Sequence, residues 1–286
     1  MVRLIKTVII TDSTCDLDRK SQEQLDVKVV SLTVSFDNME YKDGFGGALK
    51  KLFYKKLRSG RIIPTTSQPS PDEFLSIFKE NMEQGNEVIY IGISSNSSGT
   101  LQAARIAKEL CGYDKIYIVD SMQLSHGMEV LVRMACDMRN KGYSAAEIVG
   151  KIEETVPRVR FITYVENLKH LSRGGRLKRY SVYDDGKLNT KTLVSMINGR
   201  FTAVGLGRGR QSAFEKIYEF MNKYIPDEKM PVILTHADSC ENLQSFEQFL
   251  KTKGMSYKYN YSEIGAVIGS HMGPGTVGIA YIEKTV

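Results

Sequence analysis

Short apolar runs and amphipathic stretches alternate through the first half of the chain, and this alternation restricts the fold more than any other feature. "KTVIITDS" reads as a buried strand, "DLDRKSQEQLD" as a short helix and "VKVVSLTVSF" as the next strand. Amphipathic "GALKKLFYKKLRSG" closes at Gly60. "SPDEFLSIFKENMEQG" opens with Ser70 as N-cap, Pro71 at the first helical position and Glu73 three residues after the cap. "EVIYIGIS", "SGTLQAARIAKELCG" and "KIYIVDS" continue as strand, helix and strand, and two helices follow in "SHGMEVLVRMACDMRNKG" and "SAAEIVGKIEETV". Strands separated by helices imply a parallel sheet covered on both faces.

The pattern changes after Pro157. "VRFITYVE" is a strand and "NLKHLSRGG" a short helix ended by Gly174. "TKTLVSMINGRFTAVGLG" is a hairpin about the Asn198–Gly199 turn. Two helices, "SAFEKIYEFMNKYI" and "CENLQSFEQFLKTKG", alternate with the short strands "PVILTHA", "YKYNYSEIG" and "TVGIAYIEK". The expected fold is α/β with two domains. Residues 1–157 form an N-terminal three-layer α/β/α domain with a mainly parallel sheet, and residues 158–286 a C-terminal two-layer α/β domain with a mixed sheet. The boundary lacks a Pro/Gly/Ser linker, so the domains are expected to pack closely.

Composition removes several functions. No apolar run approaches the roughly 18 residues of a membrane span, and "MVRLIKTVIITDSTCD" reads as a first strand rather than a signal peptide. The four cysteines are scattered with no CxxC pair, which fits reduced thiols in a cytoplasm and offers neither a zinc knuckle nor a redox dithiol. The net charge of +6 is mild, and its clusters in "LSRGGRLKRY" and "NGRFTAVGLGRGRQ" fit a solvated face, an acidic protein or a phosphate. There is no GxxxxGK[ST] loop, no GxGxxG after the first strand, no GxSxG elbow and no HExxH. No helix-turn-helix or RNA-binding motif supports a nucleic-acid partner. Polar clusters without a complete catalytic set suit a binding protein better than an enzyme, and no metal is expected.

Three stretches carry those clusters. "ISSNSSGT" joins a strand to a helix with Ser94, Ser95, Ser97, Ser98 and Thr100, more hydroxyls than one helix cap needs, and Gly99 lets a ligand reach the backbone. Capping alone and an anion site both fit such a turn. "PTTSQPSP" places Thr65, Thr66, Ser67 and Gln68 in a second polar loop, which faces the first if both lie at the carboxyl edge of a parallel sheet. "IGSHMGPGTVGIAY" sets His271 in a glycine-rich turn among Gly269, Gly273, Gly275 and Gly278, a backbone either tightly packed or close to a ligand. His126, His170 and His236 lack any such context. Asp12 in "TDSTCDL" lacks the second carboxylate of a DxD pattern, and the stretch reads as a structural turn.

The ordered set "TDSTCDL", "TTSQPSP", "ISSNSSGT", "VDS", "LSRGGRL", "GRGRQSA" and "GSHMGPGTVGI" resembles the DegV family of bacterial fatty-acid-binding proteins over nearly the whole chain. The resemblance implies a long-chain fatty acid as ligand, no cofactor beyond it, and a carboxylate held by Thr66 and Ser98. Ser67, Ser97, Gly99, Arg208 and His271 would stand near the head group. It also implies a non-catalytic carrier that presents the acid to a separate fatty acid kinase for acyl-phosphate formation in phospholipid metabolism. Arg176 and Arg208 would face that partner, and transient contact with a membrane surface is compatible with this role. The rival reading is a dihydroxyacetone-kinase-like enzyme subunit that binds a small carbonyl substrate through His271. The sequence departs from the family between 178 and 196, where Thr192 stands in place of a common proline.

Overall fold

The computed structural model describes residues 6–175 and 189–285. Three sheets carry the fold. The first is parallel, in the order β2-β1-β6-β7: β1 (Thr7–Asp12), β2 (Val27–Val30), β6 (Glu87–Gly92) and β7 (Ile116–Asp120). The helices α3 (Pro71–Glu83) and α4 (Thr100–Cys111) cover one face, where Phe74, Phe78 and Leu101 pack on Val8, Ile10, Val88 and Tyr90. The helices α5 (Ser125–Asn140) and α6 (Ala145–Thr155) lie against the other, so this half is a three-layer α/β/α stack.

The second sheet is mixed, in the order β10-β9-β8-β13-β11-β12. Its strands are β8 (Val159–Val165), β9 (Thr190–Ile197), β10 (Arg200–Arg208), β11 (Val232–His236), β12 (Tyr259–Glu263) and β13 (Val277–Ile282). Only β11 and β12 run parallel. The helices α8 (Gly209–Lys223) and α9 (Cys240–Thr252) cover its outer face through Phe214, Phe246 and Leu250. Its inner face rests on α5, which touches β1 and β6 on one side and β8, β11 and β13 on the other. That position explains why α5 buries its residues almost all round, polar ones included. His126 on α5 stacks on Phe161 with ring centroids 4.2 Å apart, and burial lowers its pKa to about 3, so it is a neutral core group. The 3-10 turn Val156–Arg158 leads from α6 into β8. Thr192 pairs with both Val165 and Leu206, a position flanked on each side by a strand, where a proline would remove a ladder N–H.

The structure corrects two local readings and adds a third sheet. "VKVVSLTVSF" is two strands. After β2 the Leu32 N–H donates to Ser13 Oγ at 3.0 Å, and the chain leaves the parallel sheet as β3 (Thr33–Phe36). β3 pairs antiparallel with β4 (Met39–Lys42) and with β5 (Thr65–Ser67), so "PTTSQPSP" contains a short strand and does not follow a parallel strand. "AVIGSHM" is the helix α10 (Ala266–Met272), and the glycine turn comes only after His271, at Gly273 with φ +78°. Gly269 fits within this helix because the Tyr54 ring covers the place a side chain would take. Tyr54 itself donates to the Ile264 carbonyl at 2.7 Å. Between α5 and α8 the chain forms α7 (Lys169–Arg173), and α1 (Arg19–Leu25) and α2 (Gly47–Arg58) complete the set of described helices.

Candidate functional site

The connection from β1 moves to one side of the sheet, to β2, while β6 lies on the other side of β1. The carboxyl ends of β1 and β6 therefore flank the crevice in which open α/β sheets place ligands. Asp12 organises this crevice. It is fully buried, and its Oδ2 accepts from Tyr90 Oη at 2.8 Å and the Ile93 N–H at 2.9 Å, while Oδ1 accepts from the Thr14 N–H and hydroxyl. Asp12 is thus the structural turn residue its sequence context suggests.

The serine loop between β6 and α4 spends most of its hydroxyls on protein. Ser94 Oγ and Ser97 Oγ both donate to the Gly199 carbonyl, at 2.8 and 2.7 Å, and Asn96 Nδ2 donates to the Asn198 carbonyl at 3.0 Å. The loop thereby clasps the tip of the β9–β10 hairpin, whose Asn198 and Gly199 both have positive φ. Ser95 Oγ donates to Asp120 at 2.5 Å. Ser98 differs. Its Oγ lies 2.8 Å from Thr100 Oγ1 and accepts from the Thr100 N–H at 3.3 Å. Thr100 is buried and Ser98 half-buried.

β5, α10 and α7 supply the other wall. Thr66 Oγ1 lies 3.4 Å from His271 Nε2, at hydrogen-bond distance. Both residues line a cavity of about 320 Å³ with Ile62, Ile63, His170 and Arg173. The other edge of the His271 ring lies against Gly174, where a side chain has no room. Two residues past Thr66, the Gln68 carboxamide lies over the place where Gly99 would carry a side chain, so the β5 segment and the serine loop meet there. Burial, with Arg173 and Lys169 nearby, lowers the His170 pKa, so at pH 7 its imidazole is neutral while the Arg173 guanidinium carries the charge. Two imidazoles, hydroxyls and one guanidinium at an apolar rim suit a single anionic head on an apolar chain.

Thr66 and His271 are therefore in direct contact, and Ser98 precedes Gly99, over which the Gln68 carboxamide lies. Ser67 is exposed, on the strand face opposite Thr66, and the Ser97 hydroxyl is given to the hairpin. Arg208 is exposed at the start of α8, the end of β10 remote from the clasped turn. Arg176 lies outside the described residues. Sequence reasoning named Gln68 only as one member of a polar loop and set aside His170, which lies in a short helix with no distinctive neighbours.

These features define a two-domain α/β fold with a cavity in which Thr66 and His271 meet beside an apolar rim. The chain belongs to the DegV family: the model for "uncharacterised protein, DegV family" matches residues 6–284. A DegV domain-containing protein of Caldanaerobacter subterraneus subsp. tengcongensis is 35% identical over 98% of this chain and 99% of its own. Among solved structures, a fatty-acid-binding DegV family protein from Thermus thermophilus superposes with a TM-score of 0.87 at 28% identity, covering 97% of this chain and 100% of that one. A stearic-acid-binding protein from Eubacterium ventriosum gives a TM-score of 0.87 at 26% identity, covering 98% and 99%.

Proposed function

We infer that this chain binds a long-chain fatty acid, holds its carboxylate between Thr66, Ser98 and His271, and presents it to a separate fatty acid kinase. The observation that carries this reading is the Thr66–His271 contact, 3.4 Å long, in a cavity rimmed by Ile62 and Ile63. Hydroxyl and imidazole donors match one carboxylate and leave its oxygens open to a second protein, which a bidentate arginine clamp would not. The acyl chain supplies most of the affinity, at about 0.8 kcal/mol per buried methylene, and each head-group hydrogen bond adds about 1 kcal/mol. Relatives described as fatty-acid-binding support this reading over the dihydroxyacetone-kinase-like alternative. No helix among the described residues is long and apolar enough to cross a membrane, and no group of His, Cys, Asp or Glu among them is arranged to hold a metal. In this reading the chain is a carrier and the kinase does the chemistry, with the exposed Arg208 available to the partner.

Solvent extraction of the purified protein and mass spectrometry of the extract test the ligand. A bound long-chain acid is the expected result, and an empty protein that takes up no added acid overturns the reading. Ser98→Ala and Thr66→Val are each expected to weaken a fatty acid about fivefold to tenfold, as one hydrogen bond predicts, while a matched fatty alcohol loses less. Equal losses for both ligands would remove the carboxylate from these residues.

Gly174→Ala gives an independent check. The added methyl meets the His271 ring and must displace it. Acid binding is expected to fall by a similar factor with little change in melting temperature. Unchanged binding would take His271 out of the head-group site.

A further inference from the structure

The serine loop leaves the first sheet, and the hairpin tip that it clasps belongs to the second. β9 ends at Ile197 and β10 begins at Arg200, which pair with each other, so Asn198 and Gly199 are the two central residues of the turn. Their φ angles, 50° and 70°, turn the chain in the sense that a two-residue hairpin needs. The Gly199 carbonyl accepts from both Ser94 Oγ and Ser97 Oγ, which uses its two lone pairs. A side chain on Gly199 would begin 2.2 Å from Ser94 Oγ, so only glycine lets the tip come this close.

The same loop holds the Ser98 backbone. Ser94 is fully buried, and its carbonyl accepts from the Ser97 N–H at 2.9 Å and the Ser98 N–H at 3.1 Å. Its hydroxyl accepts from the Asn96 N–H at 3.2 Å while it donates to Gly199. Ser94 thereby ties the backbone of Ser98 to the hairpin, and Ser97, the adjacent residue, adds a second tie. The clasp is not helix capping, because the N-cap of α4, Gly99, has no side-chain cap bond. Among the described residues the Ser98 hydroxyl bonds only to Thr100, within the loop. The hydroxyls on either side of the turn are thus spent on anchoring, while that of Ser98 is not.

We propose that the hairpin tip positions the head-group loop, and that Ser94 and Ser97 are positioning residues which act on the ligand through Ser98. The proposal rests on the Ser98–carboxylate contact of the proposed function and adds that a turn more than 100 residues away sets its geometry. A loop ordered before the ligand arrives spares binding the cost of ordering it, and that gain is lost when the anchor is removed.

Equilibrium dialysis of the delipidated full chain against radiolabelled palmitate and hexadecanol tests this. Ser97→Ala is expected to weaken palmitate about fivefold and hexadecanol under about twofold, and Ser97→Thr, which keeps the hydroxyl, to restore palmitate binding. Gly199→Ala, which presses on Ser94 from the hairpin side, is expected to show the same acid-selective loss. The double variant Ser97→Ala/Ser98→Ala decides the route. A residue that acts through Ser98 adds nothing once Ser98 is gone, so the double variant should bind palmitate as Ser98→Ala alone does. Losses that multiply, unchanged palmitate affinity in Ser97→Ala, or equal losses of acid and alcohol in that variant would each overturn the proposal while leaving the Ser98 contact standing. Equal losses of acid and alcohol in Ser98→Ala would instead overturn the carboxylate contact, and the proposal with it. Far-ultraviolet circular dichroism and melting temperature establish that the variants are folded.

Discussion

Asp12→Ala is expected to destabilise the protein by about 4 kcal/mol, because it orphans Tyr90 Oη, the Ile93 N–H and both Thr14 donors in a fully buried place. That corresponds to a fall in melting temperature of roughly 10 °C for a chain of this size. Burial raises the Asp12 pKa while the hydrogen bonds from Thr14, Ile93 and Tyr90 pull it down. The carboxylate therefore carries a desolvation cost that its donors offset, and removing it loses the offset while leaving the donors buried. Asp12→Asn keeps an acceptor for one set of donors and should cost less than half as much. Ile93 precedes Ser94, so the alanine variant should also loosen the clasp on the hairpin and lose bound lipid more readily. Thermal denaturation of the three proteins settles the point: a loss under about 1 kcal/mol for alanine would show that Asp12 is not what holds the turn.

Glu129→Gln is expected to act in the opposite direction, and only at higher pH. Burial pushes the Glu129 carboxyl from 4.5 up to about 7, even though Arg133 beside it pulls downward; Asp18 adds a smaller upward push. A carboxyl that is harder to ionise in the folded state contributes stability that is fully present below pH 4.5 and is lost as pH rises through about 7. Wild type should therefore weaken relative to the glutamine variant between these pH values. At pH 8 the variant should be more stable by up to about 3 kcal/mol, a gain that vanishes near pH 4. Denaturant titrations at several pH values measure it. A constant difference between the two proteins across that range would mean that Glu129 titrates normally.

The alternation of strands and helices made the parallel sheet and its covering helices legible in the sequence, and Asn198–Gly199 announced the hairpin. The third sheet was not legible. β3, β4 and β5 have four, four and three residues, too short for a two-residue period to stand out. The helix α10 was hidden by its glycines, which argue for a turn until the Tyr54 ring over Gly269 is seen. In the candidate site, Thr66, Ser98 and His271 could be named from the ordered motifs. Part of the surplus of hydroxyls in the serine loop serves the protein itself. Ser94 and Ser97 serve the Gly199 carbonyl, 105 and 102 residues away, and such pairings leave no local periodicity to read. Gln68 and His170 were given no particular role for the same reason, since their placement depends on which distant segment they meet.

The Asp16–Gly265 hydrogen bond spans 249 residues, and it joins the first loop of the protein to the start of the helix that carries His271. During synthesis the parallel sheet can form while the rest of the chain is still being made, since its strands end at Asp120. The wall formed by α10 cannot be completed until His271 has left the ribosome. Until then the Asp16 and Asp43 carboxylates have no helix to cap, and the Thr66 hydroxyl lacks its imidazole neighbour. In the proposed function a growing chain therefore has no finished site to fill until the segment that carries His271 has joined a fold whose parallel sheet is already in place.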